Sequence, residues 1–144
     1  MERKKIGAGI VAIEKQTGKL LLALRAEGGS ANTFAPFGGT FEDKDETPRN
    51  TAIREFEEET KIDSSYKLSK KPFYVNNDNH LTYYNYLGFF DHALPAHIDK
   101  ENNGYGWFDI NNLPDNLHPG VVEMLNKKKE ELEKIINMFK NANY

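Results

Sequence analysis

A chain of 144 residues with 38% hydrophobic content is expected to form one domain, long enough for a real core and too short for two comfortable ones. Lysine and arginine number 19 against 22 acidic residues, a net charge of −3 with no dominant basic block, which argues against duplex DNA as a partner and leaves free nucleotides open. The absence of cysteine excludes disulfides and thiolate chemistry, no apolar run is long enough to cross a bilayer, and MERKKIGAGIVAIE lacks the pattern of an export signal, so a cytoplasmic location is the expectation.

In chain order, Lys5 to Glu14 and Leu20 to Leu24 read as two strands of a hairpin around the turn KQTGK, the second buried on both faces. Arg25 closes the second strand, and its planar fork suits a phosphate, although strand-end arginines are more often solvated. A flexible loop with Gly28, Gly29 and Ser30 follows. FAPFGGTFED then predicts a short strand, a turn and another short strand. Gly38 and Gly39 would let the backbone approach a ligand closely, or would mark an ordinary tight turn. Phe37 beside them is a candidate substrate contact.

A helix should begin at Thr47, a good N-cap, with Pro48 at the first helical position. At about 100° per residue, Ala52, Ile53 and Phe56 share a stripe that would pack on a sheet. Glu55, Glu58 and Glu59 share an adjoining one, and Glu57 points elsewhere. Like charges three and four residues apart oppose the helix by roughly 0.2 to 0.5 kcal/mol per pair, which a hard cation with oxygen ligands would reverse; a solvated acidic face is the plainer reading.

Beyond Ile62, KPFYVNNDNHLTYYNYLGFF predicts an antiparallel hairpin around NNDNH. Of its tyrosines, Tyr84 is the candidate for stacking on a nucleobase, though core packing is the usual fate of such residues. The segment HIDKENNGYGWFDINNLP follows, flexible in sequence where it carries Asp99 and Glu101 ahead of Trp107. Pro119 to Asn141 predicts an amphipathic helix that covers the sheet, a homodimer contact being the alternative.

The stretch from Gly39 to Ile62 resembles the signature of the Nudix hydrolases, G-x5-E-x7-R-E-U-x-E-E-x-G-U with U apolar. Glu46, Arg54, Glu55, Glu58, Glu59 and Ile62 match in register. Three departures stand out: six residues rather than five separate Gly39 from Glu46, Phe56 is aromatic, and Lys61 replaces a glycine. The resemblance implies an α/β fold, the Nudix-type αβα sandwich with a mixed β-sheet between helices. It also implies hydrolysis of a nucleoside diphosphate linked to another moiety, with a lean to ADP-ribose or dinucleoside polyphosphates and (d)NTP also open. Mg²⁺ or Mn²⁺ would be held by Glu55, Glu58, Glu59 and a carbonyl near Gly39. Arg54 would orient a glutamate, Glu46 would support the metal or Arg54, and Glu55, Glu58 or Glu101 would accept a proton from water. Arg25, Phe37 and Tyr84 would meet a nucleotide-derived substrate. A nucleotide-sensing module without catalysis is the alternative.

Overall fold

The computed structural model describes residues 4–26, 30–63, 66–96 and 102–142. The expected first hairpin is present as β1 (Lys5–Glu14) and β2 (Leu20–Arg25). Its turn is held by the buried Glu14 carboxylate, which accepts from the Thr17 backbone N–H at 2.6 Å and the Thr17 hydroxyl at 3.1 Å. The strands β3 (Phe34–Ala35) and β4 (Phe37–Thr40) flank Pro36, and helix α1 spans Pro48–Thr60. There follow β5 (Tyr66–Leu68), β6 (Tyr74–Asn77), β7 (Leu81–Phe90), β8 (Asn102–Phe108) and helix α2 (Pro119–Ala142). The strand β5 lies in a stretch that reads simply as polar in the sequence.

The strands form one mixed sheet. β1 runs parallel to β7 along its whole length, Lys5 opposite Leu81 through Glu14 opposite Phe90. The other edge of β1 is divided, antiparallel to β4 over Gly7–Ile10 and to β2 at Ala12 and Ile13. The sheet therefore forks at Val11. Past the fork β2 pairs with β3 on one side and β8 on the other, and Pro36 carries the chain across the gap to β4.

Alternation along β1 assigns the two faces. Ala8, Ile10 and Ala12 pack with Ala52 and Phe56 of α1, while Val11 and Ile13 pack with Met124, Leu132 and Ile136 of α2. Burying Phe56 and Phe37, which meet edge to face at 6.1 Å, fixes α1 against β4; a buried phenylalanine contributes roughly 1.5 to 3 kcal/mol. The result is the expected layered α/β architecture, with the sheet between the helices. Among the described residues no helix is long and apolar enough to cross a membrane.

Candidate active site

A cavity of about 400 Å³ opens at the fork, on the α1 face. Phe37, Gly38, Gly39 and Thr40 line it from β4, Glu55 and Glu59 from α1, and Arg25 and Asn102 from β2 and β8.

Helix α1 is placed by its ends. The Thr47 hydroxyl accepts from the Asn50 N–H at 3.1 Å, Pro48 takes the first turn, and Lys61 terminates the helix in the left-handed region at φ 62°. The helical phase brings Glu55 and Glu59, one turn apart, to the cavity, with Glu59 only 5% exposed. Glu58 turns outward, its side chain 55% exposed, and is reached by Arg54 at 3.3 Å. Glu57 is exposed, as the phase predicts. At Gly39 any Cβ would overlap the Glu55 carboxyl group, so glycine is what lets that carboxylate lie against β4.

Arg54 organises the acidic loop. Its Nε and Nη2 donate to the Asp45 carboxylate at 2.7 and 3.0 Å, Nη2 also donates to the Thr40 carbonyl at 3.0 Å, and Nη1 donates to Glu55 at 2.9 Å. A guanidinium committed in this way orients glutamates and has little left for a phosphate. The expectation that Glu46 supports Arg54 is corrected: Asp45 does so. Asp45 is buried and also accepts from the Glu42 N–H at 2.9 Å and the Thr51 hydroxyl at 2.8 Å. The Arg54 hydrogen bond holds the Asp45 carboxyl far below the usual carboxylate range, and Asp45 in turn pushes the Arg54 pKa upward.

This exchange accounts for the irregular spacing. Asp45, not Glu46, is separated from Gly39 by five residues, so the extra residue falls between Asp45 and Arg54. It is Glu46 itself: exposed, at φ 68° and ψ −39°, and bridged by a Thr47 N–H to Asp45 carbonyl bond of 2.8 Å. That is a classic-hand γ-turn, a rare and strained conformation for a non-glycine residue. The turn absorbs one residue and returns Asp45 to Arg54. Glu42 is half exposed and lies 3.2 Å from Arg54.

Of the other sequence candidates, Arg25 lines the cavity. Phe37 lines it while its ring is buried against Phe56. Tyr84 is not brought there; it packs on the core between β1 and α1. Its neighbour Tyr83 faces the opposite side and lies against Gly7, Gly9 and Gly38. Glu101 and Asp99 lie outside the described residues. Asn102 and Asp45 were missed by sequence reasoning. For Asp45 the signal was present in its distance from Gly39.

Among the described residues no group of three or more acidic or histidine side chains is gathered closely enough to enclose a metal ion. Two cavity-facing carboxylates are nonetheless a donor set that suits Mg²⁺, which retains several waters and takes phosphate oxygens rather than an all-protein cage.

Comparison with known structures agrees with the fold. The Ap4A hydrolase of C. elegans, solved as a binary complex, superposes with a TM-score of 0.74 at 17% identity, over 89% of this chain and 98% of that one. The NUDIX domain of NrtR from Shewanella oneidensis, solved with ADP ribose, gives 0.72 at 16% identity, over 92% and 90%. A MutT/nudix family protein from Enterococcus faecalis gives 0.65 at 18% identity over 75% of this chain, which spans only 44% of that longer protein. A search of curated protein sequences returned no match. The model of the NUDIX domain matches residues 3–127, most of the sequence and all of the cavity wall. The chain belongs to the Nudix hydrolase family.

Proposed function

We propose that this chain hydrolyses a nucleoside diphosphate linked to another group, in a reaction that depends on Mg²⁺ or Mn²⁺. The observation that carries the reading is the presence of Glu55, Glu59 and Arg25 in the lining of one cavity. Glu55 and Glu59 would hold the ion from the helix, a carbonyl near Gly39 would complete the protein side, and Glu58 would act from the rim through Arg54. When bound, such an ion neutralises diphosphate charge and lowers the pKa of water. Arg54 aims Glu55 through the 2.9 Å hydrogen bond from its Nη1. Glu101, which directly precedes β8, is the proposed proton acceptor.

ADP-ribose and dinucleoside polyphosphates are the favoured substrates. A domain complexed with ADP ribose and an Ap4A hydrolase are among the structural neighbours, and a cavity of about 400 Å³ is a fitting receptacle for a diphosphate with its flanking groups outside. The test is phosphate release, coupled to a phosphatase, from ADP-ribose, diadenosine polyphosphates, nucleotide sugars and (d)NTPs with Mg²⁺, with Mn²⁺ and with chelator. Metal-dependent cleavage of one class is expected. Glu55→Gln and Glu59→Gln should lower kcat by on the order of 10² to 10³, the scale of losing one transition-state contact, and Glu57→Gln should not. Nucleotide binding without turnover across the panel would replace this reading with a sensing module.

A further inference from the structure

We propose that Asn102 is a substrate-binding residue that acts with Arg25 as a two-donor wall for an anionic phosphoryl oxygen. The inference rests on the diphosphate reading above and extends it to a residue that the signature does not contain.

Three observations carry it. The β2–β8 ladder runs regularly from Leu20 opposite Phe108 to Leu24 opposite Gly104, then shifts so that Asn102, in place of Asn103, stands opposite Arg25. Bulges of this kind re-aim a side chain, and this one sets the Asn102 amide on the face that bears the cavity. Next, the Arg25 Nε and the Asn102 Nδ2 are both buried with no hydrogen-bond partner among the described residues. About nine in ten buried polar groups are paired, so two neighbouring orphans that both donate point to a missing acceptor. Finally, both residues line the cavity that Glu55 and Glu59 also line.

The complementarity is chemical. A diphosphate presents acceptor oxygens at both ends. The carboxylate wall receives one end only through a cation, whereas the donor wall receives the other directly. Neither nitrogen reaches water where it stands, so a rotation about the Asn102 or Arg25 side-chain torsions accompanies binding. The unpaired donors make that rotation favourable once an acceptor arrives.

Asn102→Asp tests this best, because it keeps the shape, replaces the donor with a carboxylate and gives Arg25 an internal partner. Calorimetric titration with inorganic pyrophosphate and Mg²⁺ should show affinity reduced about 10- to 100-fold in Asn102→Asp, the scale of one hydrogen bond to a charged group, and less in Asn102→Ala. The thermal midpoint of Asn102→Asp should rise, since the buried Arg25 Nε acquires an acceptor. On the best hydrolysed substrate, KM should rise by a similar factor while kcat changes less than threefold. A higher midpoint with pyrophosphate affinity and KM within twofold of wild type would overturn the proposal, leaving the two donors as a defect of packing alone. Should the wild type hydrolyse nothing, the proposed function fails, and the pyrophosphate titration still decides the role of Asn102 because it reads binding alone.

Discussion

The exchange of roles between Asp45 and Glu46 makes adjacent substitutions act in opposite directions. Asp45→Asn preserves shape but leaves one oxygen and one amino group where four donors converge: two from Arg54, the Glu42 N–H and the Thr51 hydroxyl. About two of the four bonds are lost and a donor is turned toward donors. Hydrogen bonds to charged groups contribute about 1.5 to 3 kcal/mol, and removing one member of a buried ion pair costs about 3 to 5 kcal/mol. Arg54 keeps Glu55, Glu58 and Glu42 as partial compensation, which favours the lower end, about 3 kcal/mol. For a chain of this length that is roughly a 10 °C fall in Tm. Glu46→Gly removes an exposed side chain from a left-handed γ-turn and should stabilise by about 1 kcal/mol. The assay is urea unfolding followed by far-ultraviolet circular dichroism. The same measurements against pH give a second check. The folded pKa of Asp45 lies below its ordinary 3.8, so its contribution is complete above that value and fades as pH falls further. The deficit of Asp45→Asn relative to wild type should therefore shrink below about pH 4. A strongly destabilised Glu46→Gly beside a neutral Asp45→Asn would refute the reasoning and return the supporting role to Glu46.

Three further outcomes are expected. Gly39→Ala drives a methyl group into the Glu55 carboxyl, so Mn²⁺ affinity by electron paramagnetic resonance titration should fall at least tenfold while far-ultraviolet dichroism is unchanged; unaltered affinity would separate Glu55 from the metal. Lys61→Gly should raise stability by on the order of 1 kcal/mol in chemical denaturation, because the left-handed helix end penalises a side chain. His118 is half-buried, its Nδ1 accepts the Gly120 N–H at 2.9 Å, and burial with Arg25 nearby lowers its pKa, so the neutral ring is the folded form. Its contribution is complete above the ordinary value near 6.5 and lost as pH falls below it; Tm measured from pH 8 to 5 should drop more in wild type than in His118→Asn.

Much of this was legible along the chain. Thr47, Pro48 and the amphipathic phase located α1 and put Glu57 outside, because capping and periodicity are local. The same phase could not separate Glu58 from Glu55 and Glu59. That division depends on where β4 lies and on Arg54 drawing Glu58 away from the cavity. The irregular spacing was visible but misassigned. A register counted on glutamate kept Glu46, whereas a shorter aspartate and a γ-turn satisfy Arg54 equally well. Tyr84 illustrates a different limit. Alternation predicts that Tyr83 and Tyr84 face opposite ways, but only the parallel pairing with β1 decides that Tyr84 meets the core. Asn102 depends on a bulge, which no local pattern announces.

The union of β1 with β7 also bears on how the molecule is assembled. The β1–β2 and β6–β7 hairpins join neighbouring segments and can form on microsecond timescales, with little entropy lost in closing their short turns. The β1–β7 ladder instead joins the first strand to residues beyond the middle of the chain. Everything that builds the cavity wall from β4 and α1 lies inside the loop so closed. The equally distant β2–β8 ladder carries a similar loop-closure cost, so these two non-local ladders, rather than the local approach of Glu55 to Gly39, are expected to set the pace of folding.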